Sequence, residues 1–309
     1  MPKLLSRREL IAGAVSTLPL AAMPRPSGLL IDTHIHLFAA DVKRFPYHKN
    51  GPYQPPAADL VDYKPFIEQS KLDHVVIVHP EPYQDDHSYL EYCFENEPSQ
   101  GFFKGTCLCD PLAPHTLSRM ESLAKKYPGR IVALRVHQMH ERDEKPSTGG
   151  AIKNRDLDDP RMKKLWRKAG DLGMAIQVHF KPFHAPRIGK LAREFSDVPV
   201  VLDHLGRSGM GTTADFDEVL KLAKLPNTNM KFSGWRYSST QEHPYRDAKL
   251  VVRKAYDAFG PDRMIWGGLG KSMADFDKAV EVFELMFDFA SEADRAKIRG
   301  LTAKKLYRF

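Results

Sequence analysis

The chain has 309 residues, room for one large α/β barrel or two average domains. It is 42% hydrophobic and 28% charged, the balance of a soluble globular protein with a large core. The formal net charge is +7; residues 1–26 carry +3 of it, and the remaining +4 has no dense basic block, which speaks against a nucleic-acid-binding surface.

In residues 1–26 the adjacent Arg7 and Arg8 precede the apolar stretch LIAGAVSTLPLAAM. A charged start followed by an apolar run too short to span a bilayer reads as a targeting segment. The Arg7–Arg8 pair followed by Leu10 and Ile11 looks like a twin-arginine export signal, cleaved between Ala21 and Ser27. The expected products are an export signal at 1–26 and a single domain at 27–309, released to the periplasm or cell exterior. No later stretch is long enough to cross a membrane.

Eight short apolar runs follow: LLIDTH (29–34), HVVIVH (74–79), FFKGTCLC (102–109), IVALRVH (131–137), MAIQVHF (174–180), VPVVLDH (198–204), NMKFSG (229–234) and RMIWGG (263–268). Amphipathic stretches such as TLSRMESLAKKY and PRMKKLWRKAGDL lie between them, with apolar positions at helical spacing. Strands rich in Val and Ile, each followed by a helix, predict a parallel sheet covered by helices. Eight such units predict a closed (β/α)8 TIM barrel. An open doubly wound sheet is the alternative, but DTHIHLF is no glycine-rich phosphate loop.

Two loops stand out. FPYHKNGPYQPP (45–56) reads as a structured loop beside any active site, and ERDEKPSTGGAIKNRDLDDP (141–160) as a long mobile one. Cys93, Cys107 and Cys109 are an odd set with no disulfide framework and read as buried thiols. LTAKKLYRF at the C-terminus reads as a short helix on the barrel's outer surface.

The ionisable residues concentrate at strand ends. His34 and His36 sit on one face at the end of strand 1; His179 ends strand 5 and His204 ends strand 6. In a barrel these positions share one rim, where neutral imidazoles are able to bind a divalent metal. Arg135 and His137 on strand 4, Lys181 after strand 5, Arg207 after strand 6 and Trp235 after strand 7 are candidate substrate contacts, with His184, Arg236 and Tyr237 nearby. Several cations at one rim suit an anionic substrate; structural pairing with loop acids is the competing account of Arg135. Glu81, just past strand 2, is either a catalytic carboxylate or a solvated loop acid.

IDTHIHLF, VVLDHLGR, MKFSGW, FGPDRMIWG and TAKKLYRF together resemble the amidohydrolase superfamily, in particular the amidohydrolase 2 branch of lactonases and decarboxylases. The likeness runs from residue 29 to 309. It implies that His34, His36 and His179 bind metal, zinc being the ion expected, and that His204 polarises substrate or moves a proton. It also implies an aspartate after strand 8, where this chain reads Trp266, Gly267, Gly268, Leu269. With that acid replaced by Leu269, Glu81 is the candidate to supply a base. The resemblance therefore implies a metal-assisted hydrolase of a small polar or anionic lactone, ester or amide. Two alternatives are a non-oxidative decarboxylase on the same barrel and a ligand-binding barrel that lost turnover with the aspartate. A small-molecule substrate is the expected partner, with no nucleic acid or membrane, and self-association is left open.

Overall fold

The computed structural model describes residues 26–309, so the export segment lies outside the described residues apart from Pro26. Eight strands form a single parallel sheet in chain order: β1 (Ile31–Ile35), β2 (His74–Ile77), β3 (Phe103–Cys107), β4 (Ile131–Gln138), β5 (Ala175–Phe180), β6 (Val200–Leu202), β7 (Thr228–Phe232) and β8 (Met264–Trp266). The principal helices are α1 (Leu60–Ser70), α2 (Ser88–Glu95), α3 (Thr116–Lys126), α4 (Pro160–Asp171), α5 (Ala185–Glu194), α6 (Thr213–Lys221), α7 (Lys249–Phe259), α8 (Met273–Met286), α9 (Glu292–Ala296) and α10 (Thr302–Tyr307). This is the (β/α)8 barrel that the alternation predicts. Each expected strand is present, with ends that differ from the expected bounds by up to two residues.

Capping side chains in the loops start several helices. Asp59 accepts from Val61 N before α1, and Asp159 accepts from Arg161 N before α4, whose first residue is Pro160. Thr212 and Asp215 form a reciprocal capping box at α6. The helices turn apolar faces inward, and Trp166 of α4 and Phe283 of α8 are among the largest fully buried side chains. Each such burial contributes about 1.5–3 kcal/mol.

Inside the barrel, Ile31, Val76, Val132, Ala175, Val201 and Ile265 form one cluster, and Ala303 and Tyr307 of α10 pack into it. The C-terminal helix therefore closes the bottom of the cylinder and does not lie on its outside, as its sequence had suggested. The apolar lower ends of the strands need a plug, and Lys104 of β3 fixes it by donating to the carbonyls of Tyr307 (2.7 Å) and Arg308 (2.9 Å).

Hydrogen-bonded ladders link every successive pair from β1–β2 to β7–β8. Between β8 and β1 the described contacts are of another kind. Thr33 Oγ1 donates to Trp266 O (2.5 Å) and Gly268 N, just past β8, donates to Asp32 Oδ1 (2.9 Å), while Lys231 of β7 reaches across the interior to donate to Thr33 O (3.0 Å). Side chains thus fasten this seam.

The loop at 141–160 is tied down more than its polarity suggests. Arg155 is buried and makes a two-pronged ion pair with Asp110 (2.9 and 2.7 Å), while Ile152 N donates to Gln84 Oε1 (2.5 Å). All three cysteines are free and buried. No helix among the described residues is long and apolar enough to cross a membrane.

Candidate active site

A cavity of about 880 Å³ opens at the end of the barrel where the strands finish. His34 and His36 reach it from β1, Arg135 from β4 and His179 from β5. The segments after β6, β7 and β8 add His204 and Arg207, Trp235 and Tyr237, and Leu269 and Lys271. A second cavity, of about 570 Å³, lies beside α2 and α3. Its two cations are already paired, Arg119 with Asp85 and Lys126 with Glu91.

The register of β1 explains how its histidines face inward. Ile31 and Asp32 pair with His74 and Val75, yet Ile35 pairs with Ile77, so β1 carries one extra residue in this interval. The bulge shifts the alternation, so Ile31 and His34 both face the interior. Asp32 stays at the seam, where burial raises its pKa to about 7 against the lowering effect of bonds from His34 N and Gly268 N.

His34 Nε2 and His36 Nε2 stand 3.2 Å apart. His36 Nδ1 lies 2.7 Å from Val78 O, and only a protonated nitrogen bonds a carbonyl, so Nε2 presents its lone pair to the cavity. Two imidazole nitrogens at this separation are able to share an ion that sits about 2.0–2.1 Å from each. Burial, followed by the charge of Arg135, pushes the pKa of His36 down to about 3. Burial and Lys231 hold His34 well below its ordinary value. Both ring nitrogens of His179 are buried without a hydrogen-bond partner. His179 packs on His204 at 5.4 Å between centroids, and His204 on His34 at 4.6 Å. Neutral rings with lone pairs turned to the cavity are chemically suited to a divalent metal.

Donor atoms of His34, Asp203 and His204 also come within 4.8 Å of one another. Asp203 is already engaged, however. Lys231 Nζ is 3.3 Å from its Oδ1, Arg135 Nη2 is 3.5 Å from its Oδ2, and Gln177 Nε2 donates to Oδ2 at 3.0 Å. Burial opposes this carboxylate's charge, but Lys231, His204 and Arg135 hold it ionised, below the usual carboxylate range. A metal there would face the cations of Lys231 and Arg135, beside the unpartnered Asp203 Oδ1 and His34 Nδ1.

His204 lies past the end of β6 in unusual backbone. Residues His204, Leu205, Gly206 and Arg207 have φ of 56, 54, 62 and 50°, a left-handed turn that costs about 1–2 kcal/mol for each residue with a side chain. The turn brings both His204 and Arg207 to the cavity. Ser233 Oγ is 2.9 Å from His204 Nδ1 and fixes the ring, leaving Nε2 for chemistry. Gly234, at φ +58°, backs this ring; a Cβ there would stand 2.6 Å from His204 Nδ1.

Of the candidate substrate contacts, Arg135, Arg207 and Trp235 line the cavity. Arg135 is partly committed to Asp203, although its Nε has no partner. Two expectations need correction. Lys181 does not line the cavity, because its ammonium pairs with Glu141. His137 lies behind His179, at 5.2 Å between centroids, and is also outside the cavity wall.

Glu81 does line the cavity, from the short helical turn Glu81–Tyr83. Beside it, burial and the Glu81 charge push the Tyr53 phenol up to about 12. Leu269 forms cavity wall at φ +59°, and no carboxylate follows β8 at this point. Asp262 pairs with Lys297. Asp275, in the first turn of α8, does line the cavity. Sequence reasoning missed Asp203 and Lys231. Their signal was a charged residue inside an otherwise apolar strand run, VVLD and NMKF.

A model of the amidohydrolase family matches residues 31–309. The 4-sulfomuconolactone hydrolase of Rhizobium radiobacter is 25% identical over 76% of this chain and 73% of its own length. The L-fucono-1,5-lactonase of Burkholderia ambifaria is 23% identical over 90% of this chain and 95% of its own. Among solved structures, a probable 2-pyrone-4,6-dicarboxylic acid hydrolase from Acinetobacter baumannii superposes with a TM-score of 0.73 at 18% identity, covering 91% of this chain and 99% of that one. An amidohydrolase from Burkholderia multivorans with bound zinc gives 0.68 at 18% identity, over 91% and 100%.

Proposed function

Because the chain belongs to the amidohydrolase family, we propose that it hydrolyses a lactone, or a related ester or amide, in a small anionic molecule. The observation that carries this reading is the convergence of His34, His36, His179 and His204 with Arg135 and Arg207 on one cavity. Two relatives named for lactone hydrolysis support the choice of bond.

A divalent ion, zinc for preference, would be held by His34, His36 and His179, and when bound it supplies Lewis acidity toward a carbonyl and acidifies water. Arg207 and the free edge of Arg135 receive a carboxylate or similar anion. His204, fixed by Ser233, takes a proton from the attacking water through Nε2. Glu81 is a second base on the same wall, standing in for the carboxylate that Leu269 does not provide. Trp235 gives the substrate an apolar wall.

A panel of sugar δ-lactones, anionic muconolactones and carboxylated pyrones tests the reading. Opening of at least one, lost in His204→Ala with the thermal midpoint preserved, is the expected result. Binding without turnover across the panel would replace the hydrolase by a ligand-binding barrel. The absence of a carboxylate at Leu269 favours a decarboxylase as a second reading, since that reaction needs no attacking water; carbon dioxide release from aromatic carboxylates tests it. Export through the Arg7–Arg8 segment belongs to the proposal too, and the mature N-terminus of secreted protein checks it.

A further inference from the structure

Tyr237 sits in the turn after β7, lines the cavity and lies against His204, with ring centroids 5.7 Å apart. Two arginines converge on it. Arg236 Nη2 donates to the phenol oxygen at 2.8 Å, and the Arg207 guanidinium carbon stands 3.7 Å from the ring centroid. Arg207 approaches from the left-handed turn after β6, so a separate element supplies the second cation. Neither arginine has a carboxylate partner among the described ion pairs, and both line the cavity.

A phenol held this way has its conjugate base stabilised before any reaction begins. Ordinary tyrosines ionise near pH 10 and hold their proton too tightly for efficient transfer near neutrality. Burial alone pushes Tyr237 higher still, but the Arg236 hydrogen bond and the charges of Arg207 and Arg236 outweigh it, so its pKa is lowered. Other titratable groups lining the cavity here are His204, Tyr53, Glu242, His243 and Tyr245.

We propose that Tyr237 is the general acid of this site, the group that protonates the departing oxygen when the ring opens. This rests on the hydrolase reading above. As water adds to the carbonyl carbon, its proton passes to His204 or Glu81. The ring C–O bond then breaks, the electron pair leaves with oxygen, and that oxygen takes the Tyr237 hydroxyl proton. The phenolate left between Arg207 and Arg236 regains a proton from solvent, and the protonated base releases one. The balance is one water consumed, with a hydroxy acid as product.

The test uses Tyr237→Phe with two substrates that differ in leaving group. A sugar δ-lactone expels an alkoxide and needs an acid; dihydrocoumarin expels a phenolate and needs much less help. Tyr237→Phe is expected to lower kcat on the sugar lactone by about 10²–10⁴-fold, with a much smaller loss on dihydrocoumarin. It should also abolish an alkaline fall in kcat that lies below the ordinary tyrosine value. Arg236→Met should move that fall to higher pH. Ultraviolet titration should show one tyrosine of lowered pKa in the wild type and none in Tyr237→Phe. Equal losses on both lactones would indicate a purely structural role and overturn the proposal, as would undiminished turnover of the sugar lactone. If the wild type opens neither these lactones nor any of the panel above, the hydrolase reading falls and this one with it. If it opens both and Tyr237→Phe does too, only the role of Tyr237 falls.

Discussion

Lys231 is wholly buried in the barrel, with its ammonium 3.0 Å from Thr33 O and 3.3 Å from Asp203 Oδ1. At an effective dielectric of about 20, its attraction to Asp203 is worth about 5 kcal/mol before desolvation is counted. Lys231→Met removes that charge and leaves Asp203 with Arg135, at 3.5 Å, as its remaining cation. Breaking a buried pair from one side costs about 3–5 kcal/mol, because the other charge stays in place. The thermal midpoint should fall by about 6–10 °C, at roughly 2 °C per kcal/mol for a domain of this size. Urea unfolding of Lys231→Met, Asp203→Asn and the double variant forms the cycle that measures the coupling. The double variant should recover a large part of the loss, since neither partner is then stranded. A single-variant loss under about 1 kcal/mol, or strictly additive losses, would refute the view that these two residues are an obligate pair.

The remaining expectations concern the mouth of the barrel. Zinc should raise the thermal midpoint of the wild type and not that of His36→Ala, with elemental analysis showing less metal per chain in the variant; equal zinc content in both would remove His36 from the ligand set. Gly234→Ala should cost about 1–2 kcal/mol from its left-handed backbone and should also displace His204, so turnover should fall more than stability does; full turnover would show that the ring has room to move. In the metal-free protein, burial holds His34, His36, His179 and His204 neutral well below their ordinary range. Unfolding frees these rings to bind protons, so their contribution is complete above about pH 6.5 and is lost as pH falls, continuing to about 3 for His36. Asp32, raised to about 7, acts in the opposite sense: it costs stability as pH rises from about 3.9 toward 7, and only partly offsets the four rings. Denaturant midpoints across this range should therefore drop toward acid, and a flat profile would contradict the buried neutral rings.

Much of this architecture is legible in the chain because strand and helix periods differ and alternate eight times. The gathering of His34, His36, His179 and His204 follows from their placement after apolar runs. The same rule also points to His79 and His137, which the structure puts to other uses: His79 Nε2 bonds Gln84 O (2.9 Å), and His137 backs His179. Strand-end position gives the rim but not the direction of the side chain, which depends on bulges and turns with no clear sequence mark. The extra residue in β1 and the left-handed turn at 204–207 are both of this kind. Lys181 was misplaced because Glu141 comes from a distant loop, and α10 because an amphipathic tail does not say which apolar surface it covers.

The join between β8 and β1 has a consequence for how the molecule opens. Elsewhere, parting neighbouring strands breaks a run of amide bonds; here it breaks the bond from Thr33 to Trp266 O and the bond from Gly268 N to Asp32. The cylinder is closer to a cuff with a clasp than to a woven tube, and the clasp stands next to His34 and the Gly268–Leu269 turn. A ligand gripping both sides of that gap would act as a fastener, so occupancy of the mouth and integrity of the whole cylinder are expected to rise and fall together.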